Sequence, residues 1–552
     1  MIASFFSLLA TFAYGPEIIA IALATPLVFL TGCAAQRLRA ARPALLALAP
    51  VPALAAAIVA ADSGPLVLDQ TLFPAVFVLD PPGALLLGAS ALLWIAAGAF
   101  AIAVMREEME NGWFAACWLL TLLGNIGVFL SADLVSFYLA FALVSLPALG
   151  LIAGSRGMED VGRLYFFVAL LGEAFLIVAF VALALGAPEH SLLISDGVDA
   201  LAASPWRNVA LALLIAGFAT KIGLVPFHVW MPSSYRAASI PAAAVLSGAA
   251  VNAGVIGLIH FLPWGLHLAF WGDALVAFGM IGAFYGVAIG LTQRDAKAIL
   301  AYSSVSQMGL VAATLGKGLV AGNAAAAGAA ALYAAHHGLA KGGLFLAVGV
   351  VLSRVPGRSA WIEALVALLA LSLAGLPLTG GAIAKLAIKE PLGDGVVGAL
   401  SILSAAATTL LMLHFLARLL KTPRRRAEPF APSPISPWLV VATASVGVPA
   451  VCLFAGTPAG LATLLDYRLV WEFLWPVLAG AALGAACGRR LDQAPNVPEG
   501  DVAALLQRAG EPSEGLGVTL ECADNSLRKW PVAAAMLLAV ATVIAGTGIF
   551  AR

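Results

Sequence analysis

The sequence predicts an all-α, polytopic transmembrane helix bundle of about 14–16 helices, with two broken helices and inverted repeats. Three observations carry that expectation. Only 11% of the 552 residues are charged and 62% are hydrophobic, with a mean hydropathy of +1.00, whereas a soluble domain carries about 25% charged residues. Apolar runs near the length of about 20 residues that a bilayer crossing requires recur from end to end. The basic residues, finally, sort into alternate loops.

Taken in order, the apolar runs fall near 17–35, 43–61, 83–105, 113–131, 134–154, 164–187, 208–226, 241–262, 265–291, 298–315, 325–352, 361–390, 394–418, 437–458, 469–488 and 531–550. The apolar start MIASFFSLLATFAYG has no basic residue before Arg37 and reads as an interfacial or partial helix, not a cleaved signal. If the N-terminus is outside, 21 of the 29 Lys and Arg residues fall in cytoplasmic loops, from Arg37, Arg39 and Arg42 to Arg528 and Lys529. A miscount early in the chain would scramble that partition. The positive-inside rule therefore supports both the count and the orientation; the expected location is a bacterial inner (cytoplasmic) membrane. The polar stretch 489–530 reads as a cytoplasmic surface segment with one short amphipathic helix near 500–509.

Several functions are argued against. Lys plus Arg and Asp plus Glu balance at 29 each, so no global charge favours a nucleic-acid partner. The five cysteines are scattered without a CxxC, which removes the usual iron–sulfur and zinc spacings. No glycine-rich phosphate loop stands in a strand-to-helix setting. The expectation is no cofactor and no metal, with function lodged among the helices.

Four lysines lie inside spans. Lys221, in GFATKIGLVPFHVW, sits about thirteen residues into its run, near the bilayer midplane at roughly 1.5 Å per residue. A charge at that depth is costly unless it faces protein, water or a counter-ion. Glu173, in FFVALLGEAFLIVAF, lies at similar depth on the preceding span and is the plausible partner. The alternative is a structural ion pair or a lysine that snorkels to an interface.

In ALYAAHHGLAKGGLFLAVGVV, His337 and Lys341 share a helix face with Tyr333 one turn earlier, while His336 points about 100° away. Such a ladder can hand on protons through waters. A helix–helix hydrogen bonder is the alternative for a lone histidine. In LSLAGLPLTGGAIAKLAIKEPLG, Gly375, Pro377, Gly380 and Gly381 predict a break just before Lys385, with Lys389 and Glu390 as an interfacial pair. Pro226 and Pro232 mark a similar interruption after Lys221, with His228 inside it. Non-helical backbone at membrane depth survives only where protein or a wet cavity satisfies it. Asp273, in AFWGDALVAFG, is a further acid, buried or near the outer surface.

These residues also carry a likeness. KIGLVPFHVWMPSSYRAASIPAAAVLSGAAVNAGVIGLIHF (221–261), RDAKAILAYSSVSQMGL (294–310), HGLAKGGLFLAVG (337–349) and GLPLTGGAIAK (375–385) resemble the proton-conducting antiporter-like subunits. Those occur in respiratory complex I, in hydrogenase-4 and formate hydrogenlyase membrane complexes, and in Mrp-type sodium/proton antiporters. LVLDQTLFPAVFVLDPPGALL (66–86) resembles the segment before their third helix, and the likeness covers about residues 65 to 420.

The resemblance implies a proton path through Lys221, His337, Lys341 and Lys385; the residues themselves add Glu173, as a counter-ion from the sixth helix in place of the fifth, with His228, Tyr333, His336, Asn252 and Asp273 as further candidates. It divides the chain into N-terminal helices (1–110), a translocation core (111–420) and C-terminal helices with the polar segment (421–552). Two positions depart from the pattern. Ala142 stands where the fifth helix should carry glutamate, and Asn252 where the eighth should carry lysine or histidine. Three functions compete. One is a non-redox, proton-translocating membrane subunit of a complex I-like or hydrogenase-like oxidoreductase. The others are an Mrp-type cation/proton antiporter subunit and a non-conducting scaffold. All three imply other membrane subunits as partners.

Overall fold

In hydrocarbon every backbone N–H and C=O must be satisfied within the chain, and the apolar runs meet that demand as helices. The computed structural model describes residues 15–69, 74–153, 159–352, 360–422, 433–456, 460–493 and 497. The expected N-terminal partial helix, the span at 531–550 and the helix near 500–509 lie outside the described residues.

The helices in chain order are α1 (Gly15–Ala34), α2 (Gln36–Val59), α3 (Pro81–Val104), α4 (Gly112–Leu130), α5 (Leu134–Ile152) and α6 (Glu159–Gly186). Next come α7 (Arg207–Ala237), α8 (Ile240–Phe261), α9 (Ala269–Gly290), α10 (Ala296–Ala321) and α11 (Ala325–Leu352). Then follow α12 (Ala360–Ala374 and Gly380–Leu392), α13 (Val396–Lys421), α14 (Ile435–Gly456) and α15 (Tyr467–Gln493). Fourteen are continuous or nearly so and are long and apolar enough to cross a membrane. The split α12 is not among them, its first half being a shorter apolar helix of 15 residues, and the chain is a multi-pass integral membrane protein. Each expected run up to 469–488 thus meets a helix. The polar stretch expected from 489 starts within α15, which runs on to Gln493.

Polar residues set several helix starts. Asp80, Asn111, Asp133 and Asp295 cap α3, α4, α5 and α10, each side chain accepting from a backbone N–H of the first turn. Asp133 also accepts from Val76 N at 2.9 Å. That bond ties α5 to a small hairpin of β1 (Leu66–Leu68) and β2 (Ala75–Phe77) paired antiparallel.

The centre of the bundle is α8, α10 and α11, buried almost throughout, while α1 and α15 bury only a small part of their length. Small residues bring the central helices close. A Cβ on Gly279 of α9 would stand 2.5 Å from the Gly309 carbonyl of α10, so only glycine permits that approach.

Both expected interruptions exist. The first half of α7 ends at Ile222, with Gly223 left-handed at φ +67° and a short 3-10 turn at Phe227–Val229 before Trp230 restarts the helix. Pro232 lies inside that second half and does not bound the gap, because proline is tolerated in a first turn. In α12 the helix stops at Ala374, with Gly375 (φ +94°) and Leu378 (φ +61°) left-handed, and resumes at Gly380.

Candidate buried polar axis

Lys221 is the last but one residue of the first half of α7 and is buried. The break leaves carbonyls without helical partners, and two are met locally: Leu224 N donates to Ala219 O at 3.0 Å and Trp230 Nε1 to Thr220 O at 2.8 Å. The lysine Nζ donates to Ser145 Oγ of α5 at 3.1 Å and stands 5.8 Å from the Phe141 ring centroid. Glu173 of α6 is also buried, beside the Ser145 hydroxyl and near enough for its charge to act on Lys221. Its carboxylate also acts electrostatically on the phenols of Tyr138 and Tyr165. Neither carboxylate oxygen hydrogen-bonds to a described residue. The two charges are neighbours without forming a close ion pair, and Ser145 touches both. A cavity of about 10 Å³ between Ser145, Tyr165, Thr220, Lys221 and Trp230 has room for about one water.

Helix α8 carries the next group. One turn of it, Leu246–Ala250, widens to π-helical geometry, a feature frequent at functional sites. Asn125 of α4 braces that turn, accepting from Trp94 Nε1 at 3.0 Å and donating to Ala249 O at 3.1 Å. Asn252 donates to Gly248 O at 3.1 Å, while its own Oδ1 meets no described hydrogen-bond partner. Gly248 lies against Gly338 of α11 too tightly for a Cβ on either, and Gly254 faces the Lys221 stem, where an added Cβ would come within 3.0 Å of Lys221 Cβ. Helix α8 is therefore wedged between Lys221 and α11.

Along α11, Tyr333, His337 and Lys341 form one buried stripe directed at α10. Tyr333 donates to Gln307 Oε1 at 2.5 Å, and Gln307 Nε2 to Thr408 Oγ1 of α13 at 3.1 Å. Lys341 Nζ donates to Leu300 O at 2.7 Å. His337 lies between them, within electrostatic reach of Lys341, with neither ring nitrogen hydrogen-bonded to a described residue. The expected turn of His336 away from this stripe holds. Its Nδ1 lies 2.9 Å from Ser445 O of α14 and, facing a carbonyl, must be the donor. The ring sits against Gly380 and Gly381 and within electrostatic reach of Lys385.

Lys385 occupies the second half of α12, 7% exposed, its Nζ without a described hydrogen-bond partner. Its methylene stem runs over Gly375. Lys385 also lines a cavity of about 160 Å³, together with Lys389, Asp394, Ser401 and Glu472, although its ammonium nitrogen is itself buried. Lys389 pairs with Glu472 of α15 at 2.7 Å, and not with Glu390 as its sequence neighbourhood suggested; α15 packs against α13 and brings the nearer acid.

Two further candidates remain. The His228 ring packs 5.0 Å from Tyr285 and 6.3 Å from Tyr302. Asp273 is exposed near the start of α9, where its carboxylate needs no buried partner, and it adds nothing to the buried row. Sequence reasoning passed over Ser145, Gln307, Thr408, Asn125 and Glu472. Ser145 was within reach, being one turn beyond Ala142 on the helix face searched for the missing acid. Among the described residues, no three His, Cys, Asp or Glu side chains gather as a metal site requires.

A family model described as NADH:quinone oxidoreductase/Mrp antiporter, transmembrane, matches residues 131–411. The chain is 28% identical over 294 residues to hydrogenase-4 component B of Escherichia coli (strain K12), covering 50% of this chain and 43% of that protein. It is 30% identical over 331 residues to NADH-quinone oxidoreductase subunit N of Salinispora tropica, covering 54% and 64% respectively. The matches thus span about two fifths to two thirds of these curated relatives. The fold is similar to a chain of the Mrp complex from Dietzia sp. DQ12-45-1b, at TM-score 0.70 and 22% identity over 99% of this chain and 63% of that one. It is also similar to a chain of the membrane-bound sulfane sulfur reductase, an archaeal respiratory membrane complex, at TM-score 0.67, 21% identity, and 78% and 75% coverage.

Proposed function

Since the chain belongs to the NADH:quinone oxidoreductase/Mrp antiporter transmembrane family, we propose that it translocates protons as one membrane subunit of a larger respiratory or hydrogenase-like complex. One observation carries the reading. Titratable side chains that a bilayer would ordinarily exclude are buried in succession on α6, α7, α11 and α12. They adjoin through α8, and His336 lies within electrostatic reach of Lys385.

Such a row moves protons by charge. Two unit charges about 7 Å apart repel by roughly 2 kcal/mol at an effective dielectric of about 20. A proton arriving on one group therefore disfavours a proton on the next by well over tenfold. Glu173 counters the charge of Lys221, so a change at either end of that pair propagates toward Lys341. His337 then relays between Lys341 and His336, and Lys385 is the last buried group before the larger cavity. The N-terminus faces outward from a bacterial inner membrane in this reading, as the distribution of Lys and Arg supports. The redox chemistry belongs to partner subunits, and this chain supplies the conduit.

The scaffold reading draws on Asn252, an amide that does not take up charge, and on the room for only about one water beside Lys221. Proton uptake by proteoliposomes holding the full-length chain with its co-purifying subunits separates the two. Conduction requires Lys221→Ala and Lys385→Ala each to lower the flux at least tenfold; flux at the native level in both variants leaves a framework protein.

A further inference from the structure

The end of α12 and the starts of α13 and α15 meet at one end of the bundle and present charges of both signs to the cavity of about 160 Å³. Lys389 and Glu472, paired at 2.7 Å, are 42% and 30% exposed. Asp394, in the turn between α12 and α13, is exposed and adds a second carboxylate to the lining. An ammonium has three donors and a carboxylate about four acceptor sites, so the pair leaves both partners with capacity to spare. Gly395 opens α13 without a side-chain cap, and Gly398 of that first turn lines the same cavity, which adds partial positive charge to its wall. The remaining wall is apolar, from Leu392, Ile402, Phe473 and Pro476.

Depth narrows the choice of ligand. Tyr467 and Trp471, exposed on the first two turns of α15, mark the level of lipid headgroups. Exposed apolar side chains continue deeper on the same two helices: Leu403 lies on the face of Val396 in α13, and Leu478 on the face of Trp471 in α15. A cavity of about 150 Å³ takes a benzene-sized group, so this one admits a small polar head and no acyl chain.

We infer that the cavity binds the phosphoethanolamine head of a membrane lipid. Lys389 and the first turn of α13 hold the phosphate, Glu472 and Asp394 accept from the ammonium, and the acyl chains lie along the exposed faces of α13 and α15. The head enters by parting the Lys389–Glu472 pair, an exposed contact of small net stability, and gives each partner a replacement of the right sign. A phosphoglycerol head would bring nothing to the two carboxylates. A phosphocholine head brings a cation without an N–H to donate. This inference goes beyond the proposed function and does not depend on conduction.

Native mass spectrometry tests it on the full-length chain with its co-purifying subunits, stripped of lipid and titrated with dioleoyl lipids that differ only in the head. The ethanolamine lipid should bind at least tenfold more tightly than the choline or the glycerol lipid. Lys389→Gln combined with Asp394→Asn should remove that preference; both side chains are at least partly exposed, and Glu472→Gln is the second variant should the first fold poorly. Equal affinity for the three lipids overturns the site, as does a preference that survives these substitutions. Glycerophosphoethanolamine, which lacks acyl chains, should leave the bound lipid in place at equal concentration, and displacement by it overturns a lipid as the occupant. No reading here involves flux, so failure leaves the Lys221→Ala and Lys385→Ala tests of the proposed function standing, and native flux in those variants leaves this site standing.

Discussion

Gly375→Ala tests how tightly the broken helix holds its lysine. Gly375 has φ +94°, a conformation that costs an L-residue about 1–2 kcal/mol. The added methyl would also stand 2.7 Å from Lys385 Cδ and 3.2 Å from Cε, well inside van der Waals contact. The stem must move, and the ammonium moves with it. Backbone and overlap together should cost about 2–4 kcal/mol, within the upper range for single substitutions. The two parts separate in a double-mutant cycle. In a Lys385→Ala background the overlap vanishes and only the backbone cost remains, so the coupling should be about 1 kcal/mol. Thermal unfolding in detergent reads the stability, and proteoliposome flux, expected to fall about tenfold in Gly375→Ala, reads the displaced ammonium. An equal stability cost in both backgrounds, together with unchanged flux, refutes the placement of the lysine stem over this glycine.

Two other outcomes are expected. Ser145→Ala removes the acceptor of the Lys221 ammonium, a hydrogen bond to a charged group worth about 1.5–3 kcal/mol. Flux should fall at least tenfold, and Ser145→Thr, which keeps the hydroxyl, should restore it; flux that ignores both changes shows that Ser145 does not hold the lysine. At the start of α3, burial alone would push the Asp80 carboxyl up, but hydrogen bonds with His260 and Gly83 N, with the His260 charge, hold it below the usual carboxylate range. A depressed native value means this carboxylate stabilises fully above the unfolded value of about 3.9 and loses that contribution as pH falls through the lower native one. Unfolding temperature followed downward from pH 5 should therefore drop less steeply in Asp80→Asn, and identical slopes would exclude the contribution.

The parts of the fold legible in advance are those that depend on one segment at a time. Hydrophobic length marks a crossing wherever it occurs, and Gly375, Pro377 and Pro226 mark breaks because their backbone preferences are local. The stripe of Tyr333, His337 and Lys341 follows from helical period alone. What each of these groups touches was not legible. Lys221 has Ser145 as its hydrogen-bond partner and Glu173 only as a neighbouring charge, and Lys389 has Glu472, 83 residues on, in place of adjacent Glu390.

By itself, then, the sequence determined that this is a many-crossing membrane bundle with basic groups buried at depth, since partition into hydrocarbon acts on each run of residues independently. Only the tertiary structure decided which helices meet and so which polar atoms compensate one another: α5 behind Lys221, α10 against the α11 stripe, and α15 folded over the Lys385 cavity. Between helices in lipid no hydrophobic pattern distinguishes one neighbour from another. Close packing at glycines such as Gly248 and Gly338, together with a few interhelical hydrogen bonds, makes that choice in three dimensions.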